Sequence, residues 1–262
     1  MTKPAPQAYW QLNPENSGLV LGQVQLFLWA KGICIAGHNQ EGKLIAARAY
    51  HTEDVYDLEA LENIILNEPL LADSVPVRKI WMAVSRSIIV PNVLMDRVII
   101  DDWIKELYFI EHDEELATSA APDLDISIVY PKKKLLRQLM TRYFPERTSR
   151  FLISPYSLLK NFSRNTSRSV VIMLLESTCS ITFFESGRLV HHHIMELERA
   201  EDLIVYIGNY WDEVGDVKEI SGMVSGVSSR LSSIQSEILS YMPRFQMDFS
   251  AEHFLEELVK CA

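Results

Sequence analysis

Residues 23–50, QVQLFLWAKGICIAGHNQEGKLIAARAY, begin with polar and apolar side chains in alternation, Gln23 and Gln25 against Val24, Leu26 and Leu28. A period of two marks a strand with one wet face, and the run then turns apolar on both faces as a central strand does. Ala30, Lys31 and Gly32 supply a tight turn, ICIAGH returns, residues 39–42 supply a second turn, and KLIAARAY runs out again. The spacing predicts three consecutive antiparallel strands. The same plan recurs in SVVIMLLESTCSITFFESGRLVHHHIMEL: Cys179 lies 145 residues after Cys34 and Gly187 lies 145 after Gly42, while Arg188 and Leu189 repeat Lys43 and Leu44. By this reading the turn before the third strand is one turn built twice.

The segment after each meander also repeats. Glu53 and Asp54 precede Val55, Leu58, Leu61, Ile64 and Ile65 at helical spacing, ended by Pro69; Glu201 and Asp202 precede Leu203, Ile204, Ile207, Tyr210 and Trp211. Each half continues with a short apolar strand (VRKIWMAV; VKEISGMV), a helix, a fifth strand (LDISIVY; RFQMDF) and a closing helix. The predicted order is βββαβαβα, twice, in an α/β protein, and agreement at this many points argues for duplication. The expected organisation is a loosely held polar arm over residues 1–23, a first subdomain over 24–147 and a second over 148–262. Each repeat of about a hundred residues buries a useful core only by packing against its twin.

The segments between are less regular. DDWIKELYF reads as a helix with Trp103, Leu107 and Tyr108 inward, and EHDEELATSAAPD as an acidic surface loop or an extra helical turn. PKKKLLRQLMTRYFP reads as a helix opening at Pro131, burying Leu135, Leu136, Leu139 and Tyr143, and ending at Pro145. Its Lys132, Lys133, Lys134, Arg137 and Arg142 are expected to form a solvated face in preference to an anion site. SRFLISPYSLLKNFSRNTSRS gives a short strand, a helix from Pro155 and a polar run, a natural seam. Its Arg150, Arg164 and Arg168 read first as a hydrated linker and second as part of a binding groove.

Composition narrows the function classes. Among 262 residues, 48% are hydrophobic, which a globular core needs, and the net charge of −10 speaks against a nucleic-acid partner. Three cysteines, none in CxxC spacing, give neither a disulfide framework nor a zinc site and suit a reducing cytoplasm. Residues 1–18 lack the charged and then apolar regions of a signal peptide, and Gln23, Gln25 and Lys31 interrupt the apolar stretch 19–37, so no membrane span is expected. His191, His192 and His193 lie on a predicted strand, which sends the first and third to one face. No nearby Cys or Asp completes a ligand set in sequence, and a half-exposed strand is favoured over a metal site. Cys34 and Cys179 read as matched, buried positions, and Ser85 and Ser87 lack the glycines of a nucleophile elbow.

WMAVSRSIIVPNVLMD, ISIVYPKKKLLRQLMTRYFP and the tail from VKEISGMVSG to LSYM resemble domain of unknown function family 3822, a family of bacteroidete proteins of similar length. The doubled βββαβαβα unit resembles the ribonuclease-H-like duplication of the actin, hexokinase and Hsp70 ATPase superfamily, which includes pilus-assembly and cell-division actin-like proteins. The likeness spans about residue 24 to the end of the chain. It implies two ribonuclease-H-like subdomains whose sheets face a cleft. In that superfamily an aspartate closes each first strand and a glycine-rich turn comes next, because carboxylates position magnesium while bare amides approach phosphate. LWAKGICIAGH lines up with the first phosphate loop and places Leu28 at the aspartate; the displacement of 145 places Met173 at the second. Ala30 and Gly32 take the glycine positions of the first loop, Leu175 and Ser177 those of the second, and SGMVSG, similar to the adenosine-side strand, keeps Gly222.

A leucine and a methionine cannot hold magnesium. Two-metal cleavage by the nuclease branch fails likewise, since VQLFLW offers no carboxylate and Glu176 has no obvious partner on IWMAV or EISGM. The expected function is therefore a non-catalytic actin-like scaffold or protein-binding module, without cofactor or metal, whose partner is another protein. The alternative is a degenerate ATP-binding protein or nucleotide-dependent switch that takes ATP with magnesium on Lys31, Gly32, Ser177, Thr178 and Gly222. The same alignment brings Leu28 and Met173 to the cleft floor, where the halves are expected to close with help from Trp29 or Leu175.

Overall fold

The apolar alternation over residues 23–51 becomes three antiparallel strands, β2 (Gln23–Trp29), β3 (Gly32–His38) and β4 (Leu44–His51). The computed structural model describes residues 6–13, 20–53, 57–72, 75–83, 86–95, 97–121, 125–145, 150–153, 168–176, 178–211, 220–246 and 250–260. A short strand, β1 (Trp10–Leu12), pairs with β4, so this part of the expected loose arm is held in the sheet. Helix α1 (Leu58–Asn67) starts where the Asp57 carboxylate accepts from the Ala60 amide at 3.0 Å and buries Leu61, Ile64 and Ile65. It stops at Glu68, ahead of the one-turn helix α2 (Pro69–Ala72), because a proline cannot continue the hydrogen-bond ladder. β5 (Val77–Met82) then lies parallel to β2.

An insertion comes next: β6 (Ile88–Pro91), a 3-10 turn (Asn92–Leu94), α3 (Arg97–Leu107), β7 (Glu114–Ala121) and β8 (Ile126–Lys133). Its strands form a separate antiparallel sheet in the order β6-β8-β7. α4 (Lys134–Tyr143) then leads toward β9 (Arg150–Ile153), which pairs parallel to β5 and completes the order β1-β4-β3-β2-β5-β9.

Several expectations are corrected by this topology. LDISIVY is not the fifth strand of the first sheet; it is β8 of the inserted sheet, and the fifth strand is β9, from the stretch that reads as the seam. The acidic loop is β7, where Glu114 and Glu115 stand opposite Lys133 and Lys132 and their carboxylates meet Arg86 and Arg137. Pro131 lies in β8 rather than opening a helix. α3 turns Ile100, Ile104 and Tyr108 inward and leaves Trp103 and Leu107 exposed, and Leu135 is exposed on α4. The expected helix from Pro155, together with Arg164, Ser85 and Ser177, lies outside the described residues.

The second half contains β10 (Arg168–Leu175), β11 (Thr178–Glu185), β12 (Arg188–Glu196), α5 (Ala200–Trp211), β13 (Ser221–Val227), α6 (Leu231–Tyr241), β14 (Phe245–Gln246) and α7 (Ala251–Lys260). Its sheet order is β12-β11-β10-β13-β14, with β13 parallel to β10 and β14 parallel to β13. Beside β1, the first sheet repeats that order as β4-β3-β2-β5-β9. The core of the second half gathers Val170, Ile172, Leu174, Cys179, Ile181 and Phe183 against Leu203 and Ile207 of α5 and Ile234 and Ile238 of α6. The chain divides into two compact units, Met1–Tyr156 and Ser157–Ala262, which keeps β9 with the sheet it completes. Among the described residues no helix is long and apolar enough to cross a membrane.

Candidate functional site

The turn that carries the implied phosphate loop is closed by Trp29 opposite Gly32 in the first unit and by Leu175 opposite Thr178 in the second. These pairs lie 146 residues apart, not 145. The irregularities in the next ladder, between Gly37 and His38 and between Phe183 and Phe184, are also 146 apart. The displacement drops to 145 only after the second turn, and the turns themselves explain it. Asn39 and Lys43 close a three-residue loop, with the Asn39 side chain accepting from the amides of Glu41 and Lys43 at 3.0 and 2.8 Å and Gly42 at φ 86°. Glu185 and Arg188 close a two-residue loop in which Ser186 and Gly187 both have positive φ, 49° and 76°. They are two turns sharing one left-handed glycine, not one turn built twice.

The residue that corresponds to Leu28 is therefore Leu174 rather than Met173, and a shift of one along a strand changes the face. Leu28 lies beside Ile33, which lies beside Tyr50, whose hydroxyl donates to Glu68 at the end of α1. Leu174 lies beside Cys179 in the core under α5 and α6. Both leucines are fully buried. The two cysteines are likewise one register apart, Cys34 opposite Phe27 and Cys179 opposite Leu174. Burial pushes both thiols up, Cys179 to about 12, so neither is an available nucleophile.

Gly32 and Gly222 are bare for a reason internal to the fold. A Cβ on Gly32 would stand 2.7 Å from the Trp29 ring and 2.7 Å from the Tyr50 carbonyl oxygen, so the indole roofs the turn. A Cβ on Gly222 would overlap the ring of Phe245, its neighbour on β14. Gly222 is also at the start of β13, at the far end of that strand from the turn into α6. Lys31 is exposed in its turn, with its carbonyl accepting from the Thr52 amide at 3.1 Å. Thr178 is buried, and its hydroxyl has no hydrogen-bond partner among the described residues.

At the C-terminal ends of β10 and β13 the second unit is laced to itself. Glu176, at φ 55°, accepts from the Ser229 amide at 3.0 Å and the Ser229 hydroxyl at 2.7 Å. Arg230 donates to the carbonyls of Leu197 and Glu198 at 3.2 and 2.6 Å. Magnesium nucleotide needs a free carboxylate and bare amides at these turns. Here the aspartate positions are buried leucines, both glycines are capped by aromatic rings and the nearby carboxylate is engaged, so the residues do not fit that group.

The strand alternation expected for the three histidines is present. His191 stacks on Tyr210 at 4.7 Å with its Nε2 2.8 Å from the Tyr206 hydroxyl, and His193 stacks on Tyr206 at 4.7 Å. His192 turns the other way, with Nδ1 2.9 Å from the Thr182 hydroxyl. Burial holds all three below the ordinary histidine range; His192, with its two neighbours adding to the effect, reaches about 3. Among the described residues no three His, Cys, Asp or Glu side chains gather as a metal set.

Two features carried no signal in the sequence. Glu68 is a buried carboxylate that accepts from Tyr50, from Arg48 at 2.9 Å and from the Leu70 amide at 3.0 Å. Glu114 is buried likewise, against Arg86 and the Glu111 amide. The basic face of α4 borders an open groove of about 660 Å³, in which Arg137 faces Glu115 at 3.7 Å. Arg142 reaches Glu62 at 3.3 Å, so these cations are balanced by acids.

A family model described as "Protein of unknown function (DUF3822)" matches residues 26–245. No curated protein matches the chain. Among solved structures, a protein from Bacteroides thetaiotaomicron VPI-5482, described as having an actin-like ATPase fold and unknown function, is similar over 90% of this chain and 95% of its own. The TM-score is 0.71 and the identity 16%. The ethanolamine utilization protein EutJ from Carboxydothermus hydrogenoformans is similar over 90% of this chain and 87% of its own, with a TM-score of 0.43 and 11% identity. The fold is the actin-like one, a duplicated ribonuclease-H-like unit.

Proposed function

The chain belongs to the DUF3822 family of proteins of unknown function, here on an actin-like fold, and we propose that it works as a non-catalytic module that binds another protein. The observation that carries this reading is the closure of both implied nucleotide glycines by the chain's own rings, Trp29 over Gly32 and Phe245 over Gly222. The buried leucines at positions 28 and 174 support it, since neither can hold a metal ion. A fold keeps such a scaffold without its chemistry because function resides in the site, not in the architecture.

Thermal melting with and without magnesium ATP tests the reading. A ligand at a hundredfold excess over its Kd and bound only to the folded state adds about 2.7 kcal/mol, a shift of roughly 5–10 °C for a chain of this size. The expected shift is under about 1 °C. A rise of several degrees that Lys31→Ala removes would reinstate a nucleotide switch at Lys31, Gly32, Ser177, Thr178 and Gly222.

A further inference from the structure

The inserted sheet is wider than the helix that covers it. Three strands spaced about 4.8 Å apart span about 14 Å, and a helix is about 10 Å across, so one helix shelters two strands. α3 shelters β6 and β8 and reaches β7 at Leu116: Ile100 and Ile104 pack on Val90 and Val129 with Leu116 against them, and the Tyr108 hydroxyl donates to the Ser87 carbonyl beside β6 at 3.3 Å. Thr118 of β7 pairs with Val129, and Ala120 with Ser127, which puts both on the helix-covered face of the sheet. Both are nonetheless exposed.

The helix has a matching surplus. At roughly 100° per residue, Ile99, Trp103 and Leu107 occupy the arc next to Ile100, Ile104 and Tyr108. They are 45%, 45% and 65% exposed, and Phe109, just past the helix end, is 80% exposed. A run of large apolar side chains beside a strand left uncovered at Thr118 and Ala120 marks an interaction surface. On its solvent side this stripe is bordered by Glu106 and Asp102, both exposed, while Lys105 lies on the far side of the helix.

We propose that the ledge between α3 and β7 is a docking site for an amphipathic helix of a partner protein, about three turns long, with one apolar face bordered by lysine or arginine. This rests on the reading of the chain as a protein-binding module. The partner helix lies beside α3 as a second cover for the sheet. Its apolar residues meet Ile99, Trp103 and Leu107, the small Thr118 and Ala120 leave room for its backbone, and its basic border meets Asp102 and Glu106. An eleven-residue α3 sets the length, since a helix of that size spans about three turns.

The test is selection of a random 20-residue peptide library, displayed on phage, against the full-length chain. Enriched peptides are expected to carry apolar residues at i, i+3, i+4 and i+7 with basic neighbours, and to bind Leu107→Asp at least tenfold more weakly than wild type. The pair Asp102→Lys and Glu106→Lys should weaken the same peptides at least fivefold, and all variants should melt like the parent. Failure to enrich, enrichment of extended or acidic sequences, or affinity unchanged by Leu107→Asp overturns the proposal. So does a wild-type dimer in sedimentation that Leu107→Asp converts to monomer, because the occupant is then a second copy. Each of these outcomes leaves the magnesium ATP measurement untouched, so the failure of the ledge and the failure of the non-catalytic reading are separable.

Discussion

A glycine is kept bare either for a ligand or for a neighbour within the fold, and the two reasons predict different double-mutant behaviour. Gly222→Ala places a methyl inside the Phe245 ring and should destabilise by about 1–3 kcal/mol, read as a lower denaturant midpoint. Phe245→Ala removes the obstacle. Gly222→Ala with Phe245→Ala should therefore cost at least about 1 kcal/mol less than the two singles together; strictly additive costs would mean that the ring is not what keeps Gly222 bare. At this scale the sequence is half legible. The spacing puts Leu28 near the end of its strand, where it lies, but a constant displacement tracks identities and not the pleat. Cys34 and Cys179 look like one landmark and occupy adjacent registers, because the first unit has one more residue in its second turn. That single residue moves the expected counterpart from Leu174 to Met173.

At the scale of elements, the meanders are legible because their periodicity is strong and repeated, whereas the insertion is not. β7 reads as a loop by its acids and small residues, and it is a strand because it pairs with β8 along its whole length. The outward stripe of α3 reads as inward for a related reason. Apolar spacing gives the width of a helix's apolar arc but not how much of it a narrow sheet can cover.

β12 carries a pH dependence whose sign is set by its depressed histidines, above all His192, which faces Thr182 of β11. Above about pH 6.5 both folded and unfolded chains hold neutral imidazoles, and the full stability is present. As pH falls below that value the unfolded chain takes protons that the folded chain refuses, and stability declines until His192 itself protonates near 3. At pH 5 the gap of about 1.5 units is worth about 2 kcal/mol for His192, which we discount to about 1 kcal/mol because its edge still meets solvent. Urea midpoints at pH 7.5 and 5.0 should differ less in His192→Val than in wild type by that amount. An identical pH response in the variant would show that His192 is not the group concerned.

For the whole molecule, the register places the two positions that the resemblance aligns with metal-holding aspartates in the interiors of their own units, Leu28 on the α1 side of the first sheet and Leu174 in the core under α5 and α6. Two substitutions in separate cores share no partners, and their costs add to within about 0.5 kcal/mol. Two that face each other couple, most strongly when both introduce a charge. Leu28→Asp and Leu174→Asp should each destabilise by several kcal/mol, since a carboxylate is forced into an apolar core or must be protonated there. The double variant should lose the sum of the two, if it folds at all. Leu28→Asn with Leu174→Asn provides a milder pair for the same cycle. Neither pair should gain a thermal shift with magnesium ATP, because restoring the carboxylates leaves Trp29 over Gly32 and Phe245 over Gly222. A coupling well above 0.5 kcal/mol would show that the two leucines do not lie in independent cores.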